Sequence, residues 1–84
     1  MVIIEVHLAP GKKSFELSEE IIAETKAQVM THAEAAGVGF EGLPPPPAGR
    51  EVRYVAVRDT DSRWILNSLE ANPDVGSFKM HNVD

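Results

Sequence analysis

The stretch EVRYVAVR, residues 51–58, is the clearest β-strand of the chain and decides which architectures are open to it. Its side chains alternate between two faces, one carrying Val52, Tyr54 and Ala56 and the other Arg53, Val55 and Val57. Both faces are apolar at the middle, as is typical of a strand at the centre of a sheet. The preceding GLPPPPAG cannot extend that strand, because proline lacks the amide hydrogen that a central strand donates. Residues 44–49 are therefore predicted to form a stiff proline-rich loop with polyproline II backbone.

Two other stretches alternate in the same way and predict strands towards the two ends of the sequence. Val2–Leu8 is rich in β-branched residues and is followed by Pro10-Gly11, which ends a strand. Val75–Val83 alternates between apolar and polar side chains. The stretch VGFEGL, residues 38–43, predicts only a weak edge strand, because its glycines disfavour the pattern.

Two amphipathic segments between these strands predict helices. Ser18 is a suitable N-cap, and the helix formers after it continue to Gly37, a natural C-cap. A second helix follows the capping candidates in residues 59–61 and stops at Asn72-Pro73, since the residue before proline disfavours the α region. The predicted anchors of this second helix are Trp64, Ile65, Leu66 and Leu69.

The resulting order, β-α-β-β-α-β with a weak second strand, predicts an α+β fold of the ferredoxin-like kind. In that fold two helices cover one face of an antiparallel sheet, the first and third strands are central, and the last strand lies beside the first. The 84 residues are enough for one such domain, spanning 1–84. A three-stranded sheet without the weak strand is the alternative.

The apolar pattern also predicts the register between the first and last strands. Core residues pair across the two strands if Val6 faces Phe78. Glu5 then lies opposite Lys79, which predicts an ion pair between the strands.

In a chain without cysteine, the histidines are the first residues to test as metal ligands, and the register argues against them. His7 lies near Ser77 and His81 near Ile3, so the two histidines are about 13 Å apart along the strands. That separation is too long for a shared ion, whose ligand distances are about 2 Å. His7, His81 and the helical His32 are interpreted as solvated, and no metal or cofactor is expected.

Because two helices are needed on one face of the sheet, the other face is predicted to be exposed. The candidate interaction face comprises Ile3, Glu5, His7, Tyr54, Lys79 and His81. Which set of third-strand side chains it includes is left open, since parity alone does not decide. Apolar side chains within a mixed patch predict a small non-catalytic interaction or regulatory module that forms a homodimer or docks on a protein partner. A small ligand-binding domain or enzyme with a site formed at a subunit interface is a further alternative.

Other functions are disfavoured by the composition and by the missing motifs. No catalytic residues are predicted, since the paired carboxylates Glu20 and Glu24 lie on a solvated helix face, as many surface pairs do. The formal charge of −5 disfavours nucleic acid, because affinity for phosphates depends largely on lysine and arginine. No run approaches transmembrane length, and the N-terminus lacks the basic region of a signal peptide, so a cytoplasmic location is expected.

Two segments, SEEIIAETKAQV and LEANPDVGSFKMHNVD, resemble the subtilisin-propeptide family, also called inhibitor family I9. The resemblance rests on the turn between the second helix and the last strand, here Asn72, Pro73, Asp74 and Val75. Small members of this family are ferredoxin-like folding chaperones and inhibitors of serine proteases. The resemblance implies that the inhibitory segment would be His81, Asn82, Val83 and Asp84.

Overall fold

The computed structural model describes residues 1–37 and 51–82, which contain four strands and three α-helices. The strands are β1 (Val2–Leu8), β2 (Gln28–Met30), β3 (Val52–Val57) and β4 (Val75–Asn82). The helices are α1 (Glu19–Thr25), α2 (His32–Gly37) and α3 (Ser62–Glu70), with a 3₁₀ turn over Asp59–Asp61 before α3. The predicted α+β class is confirmed. Within these residues no helix has the length and apolar character needed to cross a membrane.

The described strands form one antiparallel sheet in the order β2-β3-β1-β4. β1 and β3 are therefore central, and β4 lies at the edge beside β1. The register predicted between the first and last strands is confirmed, with Val6 opposite Phe78 and Glu5 opposite Lys79. The pairing becomes irregular only between His7 and Leu8, where β4 begins.

The first face of the sheet carries the larger group of buried side chains. Alternate residues of β1 pack there with Val55 and Val57 of β3. Ile65 and Leu69 of α3 complete this core, and Ile21 of α1 packs against it. α1 and α3 therefore cover the same face.

The second face is not bare, so the expectation that helices cover only one face is wrong. Its buried side chains are Ile3, Met30, Ala35, Val52, Tyr54 and Ala56. Ala35 belongs to α2, which lies across the sheet from α1 and α3. The β3 residues on this face are thus Val52, Tyr54 and Ala56. The sequence alone had not decided which set of β3 side chains lies on this face.

The single helix predicted from Ser18 to Gly37 is also wrong. Its N-cap is confirmed, since Ser18 Oγ accepts a hydrogen bond from the Ile21 amide at 3.2 Å. The helix ends at Thr25, however, and Lys26 takes a left-handed conformation with φ of 54°. The strand predicted for residues 38–43 and the proline-rich loop of residues 44–49 lie outside the described residues.

β2 replaces the predicted helix because tertiary contacts outweigh local propensity. The helix propensities of ordinary residues differ by less than about 0.7 kcal/mol per residue. The pairing of β2 with β3 and the burial of Met30 stabilise the strand by more than these differences. Between α1 and β2, the buried hydroxyl of Thr25 satisfies backbone polar groups. It donates a hydrogen bond to the Ile21 carbonyl at 2.7 Å. The same hydroxyl accepts from the Ala27 amide at 3.3 Å, so few polar groups are lost where helix becomes strand.

α3 has the predicted position but not all of its predicted anchors. Ile65 and Leu69 are buried, whereas Trp64 is 42% exposed and does not anchor the helix. Asp61 precedes the helix without capping it, and its carboxylate instead accepts from Arg58 Nε at 2.9 Å.

Candidate functional site

Glu5 lies at the centre of a group of side chains that joins the central strand β1 to the edge strand β4. Its Oε2 is 2.5 Å from His7 Nε2, and its Oε1 is 3.1 Å from His81 Nε2. His7 lies two residues along β1 on the same face, whereas His81 belongs to β4 and is opposite Ile3. Glu5, His7 and His81 are called the Glu5 cluster below.

The Glu5 cluster is largely shielded from water. The side chains of Glu5, His7 and His81 are 9%, 19% and 27% exposed. Burial alone would raise the pKa of Glu5, but hydrogen bonds and charge interactions with the two histidines lower the pKa below its ordinary value. Glu5 is therefore ionised at neutral pH.

The ionised carboxylate determines where the hydrogens of the two rings lie. A carboxylate can only accept hydrogen bonds, so the Nε2 atom of each histidine carries a hydrogen and donates it to Glu5. In a neutral ring, the other nitrogen, Nδ1, then holds a lone pair. One carboxylate thus orients two imidazoles and fixes the tautomer of both, the role that carboxylates play behind histidines in other functional sites.

Tyr54 and His32 extend this set of polar groups across the second face of the sheet. Tyr54 is opposite Glu5 in the β1–β3 register and is 1% exposed. Its burial, and to a lesser degree the charge of Glu5, raises the pKa of its hydroxyl, so Tyr54 is neutral at physiological pH. The His32 ring lies 5.8 Å from the Tyr54 ring at an angle of 57°. Its Nε2 is buried and has no hydrogen-bond partner among the described residues.

The interpretation of these histidines as solvated needs correction. His7 and His81 are half-buried and bound to Glu5. The predicted ion pair between Glu5 and Lys79 does not form, although the two residues are opposite each other, because Glu5 directs both oxygens to the histidines. Among residues 1–37 and 51–82 no group of three possible ligands is placed to hold a metal ion.

The predicted register already implies that His81 lies close to Glu5. His81 faces Ile3, so it is the diagonal neighbour of Glu5, and diagonal neighbours are within reach of long side chains. The separation of about 13 Å between His7 and His81 describes their backbones. It does not prevent both rings from reaching one carboxylate that lies between them.

The candidate interaction face is only partly exposed. Ile3 is fully buried and Tyr54 nearly so, which makes both of them core residues. Lys79 is exposed, and His7 and His81 are intermediate. The accessible part of this face therefore lies along β4.

β4 is the only described strand that contains no buried residue. Five of its eight residues are exposed and none is buried, whereas six of the seven residues of β1 are buried. β4 pairs with β1 on one side and has no partner on the other side among the described strands. Phe78 packs against the core of the first face, while Met80 on the same face is 44% exposed. We call Val75–Asn82 the β4 edge.

The segment implied to be inhibitory is divided between described and undescribed residues. His81 and Asn82 belong to β4, opposite Ile3 and Val2, and His81 is held by Glu5. Val83 and Asp84 lie outside the described residues. Comparison of the chain with protein-family models, with curated proteins and with solved structures found no match.

Proposed function

We propose that the protein is a small ferredoxin-like interaction module that binds a protein partner by strand addition at the β4 edge. The fold assignment is supported by an antiparallel sheet with β1 and β3 at its centre and by α1 and α3 on one face. α2 on the second face is an addition to that plan. The sheet would act as a rigid support for its own edge.

The observation that carries the proposal is the length and exposure of β4. An edge strand presents a row of unpaired amide and carbonyl groups, which is a ready template for another extended chain. Eight residues without proline give a longer template than the three-residue β2 at the opposite edge. In strand addition, main-chain hydrogen bonds supply affinity and alternate side chains supply specificity.

β4 is also fixed in place before any partner arrives. Phe78 and Val75 pack against the core of the first face, and His81 is bound to Glu5 on the second. The edge is thus anchored on both faces. A preorganised edge loses little conformational entropy on binding, so more of the interaction energy appears as affinity.

The proposed docking site is the edge of the sheet and not the face predicted from the sequence. Docking on that face would require exposed apolar side chains at its centre, but Ile3 and Tyr54 are buried there. What remains accessible is Lys79, together with the backbone of β4 that points away from β1. Interaction with a partner or with a second copy would therefore use backbone pairing more than apolar contact.

A selection experiment followed by NMR tests the proposal. Peptides selected from a random library against the intact protein should protect alternate amides of β4 from hydrogen exchange, because only alternate residues point away from β1. Proline at one of those outward-facing positions should abolish binding while leaving the β1–β4 ladder intact. Proline at an exposed position of the loop before α1, such as Ser14, is the matched control. Selected peptides that leave every β4 amide unaffected would refute strand addition.

The other two functional hypotheses stay predictions. Protease inhibition predicts that the protein slows a subtilisin-type enzyme at micromolar concentration, although His81 and Asn82 are paired within the sheet. A ligand site at a subunit interface predicts that the melting temperature rises in a metabolite panel and that the protein self-associates in analytical ultracentrifugation.

A further inference from the structure

We infer that the strand accepted by the β4 edge is an extended acidic peptide, with carboxylates on the Lys79 side and apolar side chains on the Met80 side. This inference rests on the proposed strand addition and names the chemistry of its partner. It follows from the charges and exposures of the two faces of β4, which differ sharply.

The second face of β4 presents an exposed lysine although the whole protein is acidic. The formal net charge of the chain is −5, yet β4, with the sequence VGSFKMHN, contains no acidic residue. Lys79 is exposed and forms no ion pair with any described residue. The nearest carboxylate across the strands, Glu5, is occupied by His7 and His81. An incoming strand would therefore meet an exposed lysine that forms no direct ion pair with a described residue.

The groups that surround Lys79 leave the lysine as the exposed charge on this face of β4. The carboxylate of Glu5 is shielded beneath the two histidine rings, with a side-chain exposure of 9%. Tyr54, on the far side of Glu5, is neutral because burial raises its pKa.

The first face of β4 favours apolar neighbours. Phe78 is half-buried, and Met80 is 44% exposed. Residues of an added strand alternate between the two faces, so the positions beside a carboxylate opposite Lys79 would lie next to Phe78 and Met80. Apolar side chains at those positions would cover Met80.

A second copy of the chain is a poorer occupant than an acidic strand. In a symmetric antiparallel pair of β4 strands, Lys79 lies opposite its own copy when the two-fold axis passes through it. Shifting the axis by one residue places Lys79 opposite Ser77 or His81 of the other copy. No register within β4 supplies a carboxylate, and like charges facing each other across strands are destabilising.

The negative net charge does not prevent binding of an acidic peptide. Charges farther away than a Debye length of about 8 Å are largely screened at physiological ionic strength. The contacts made at the edge then decide the preference, and the charged group exposed there is Lys79.

Three blocked peptides of matched length test the inference, each titrated into the ¹⁵N-labelled intact protein. The sequence Thr-Val-Glu-Val-Glu-Val-Thr is compared with analogues in which glutamine or lysine replaces both glutamates. The glutamate peptide should shift β4 amides and bind about fivefold more tightly than the glutamine peptide, the effect of one or two cross-strand charge pairs. The lysine peptide should bind most weakly. The advantage of the glutamate peptide should disappear in the Lys79→Met variant and persist in Lys13→Met, which removes an exposed lysine outside β4.

The outcomes separate this inference from the proposed function. Equal binding of the glutamate and glutamine peptides at β4 would overturn the acidic preference and leave strand addition standing. Shifts confined to residues outside β4, or no binding by these or by library peptides, would refute strand addition itself. Sedimentation as a dimer whose β4 amides are protected would show that a second copy is the occupant, which also overturns the inference.

Discussion

Replacement of Glu5 by glutamine should destabilise the protein at neutral pH and remove part of its sensitivity to acid. The glutamine side chain has nearly the shape of the protonated carboxyl, so the change removes charge with little change in volume. The wild-type carboxylate accepts two hydrogen bonds, from His7 Nε2 and His81 Nε2, at a side-chain exposure of 9%. The comparison therefore measures what the ionised form contributes.

The magnitude follows from the two hydrogen bonds and the cost of burying the charge. Bonds to a charged group contribute about 1.5–3 kcal/mol each and neutral ones about 0.5–1.5, so the two bonds together would lose about 2 kcal/mol. Desolvation of the carboxylate offsets part of the stabilisation by these two bonds, and it is the largest single influence on the pKa of Glu5. The net pKa is nevertheless lowered, so the ionised form is favoured by folding. We expect a loss of about 1–2 kcal/mol in Glu5→Gln, or about 5–10 °C in melting temperature.

The pH dependence has a definite sign. A carboxyl whose pKa is lower in the folded state stabilises the protein above its unfolded pKa, about 4.3 for glutamate, and loses this contribution as pH falls through the folded value. The difference between wild type and Glu5→Gln should therefore be present at pH 7 and shrink as the pH falls below about 4. Tyr54, which also faces Glu5, stays neutral over this range because burial raises its pKa.

Urea unfolding followed by circular dichroism, at several pH values from about 7 to about 2.5, checks these expectations across the range in which glutamate titrates. Glu24→Gln is the matched control, because Glu24 is exposed on α1 and its loss should change stability by less than about 0.5 kcal/mol at every pH. A Glu5→Gln variant as stable as wild type at neutral pH would refute the stabilising role of the Glu5 cluster. A difference that stays constant down to the lowest pH would show that the lost stability does not come from ionisation.

Three further predictions concern local strain and packing, and all can be measured by the same unfolding experiment. Lys26 has a left-handed φ of 54°, so Lys26→Gly should stabilise by about 0.5–1 kcal/mol; a loss of stability would contradict the assigned conformation. A Cβ on Gly76 would lie 3.3 Å from two backbone carbonyl oxygens of β1, so Gly76→Ala should cost about 1–2 kcal/mol. A Cβ on Gly37 meets no atom of the described residues within 4 Å, so Gly37→Ala should not destabilise. His32→Phe removes a buried nitrogen that has no hydrogen-bond partner among the described residues and keeps an aromatic ring beside Tyr54, so it should stabilise by about 1 kcal/mol; destabilisation would indicate that the nitrogen is satisfied.

The sequence was sufficient to predict the pairing of β1 with β4 because alternation determines register. A shift by one residue would move every apolar side chain to the wrong face, so Val6 opposite Phe78 is the pairing that keeps both in the core. The same register also places His81 close to Glu5. The register could not predict whether Glu5 would bind Lys79 or the histidines, because that depends on side-chain reach and burial.

The interruption of the first helix could not be read from local pattern. The residues from Ser18 to Gly37 are mostly good helix formers, and neither glycine nor proline marks a break before Gly37. The break lies at Lys26, which adopts a conformation that glycine favours, and the gain comes from β2 pairing with β3. Such a gain is non-local, so only the assembled sheet reveals it.

The same break explains why we propose an interaction site at the edge of the sheet and not on its face. Because the chain forms β2 and then turns into α2, it brings Ala35 and Met30 onto the second face, against Ile3 and Tyr54. Apolar side chains that a two-helix arrangement would leave exposed are thereby buried at the β2–β3 side of the sheet. β4 lies at the other side, separated from β3 by β1, and most of its residues remain exposed. The preorganised β4 edge is thus the part of the predicted face that remains accessible, and it is through the backbone of this edge that we propose a partner is recognised.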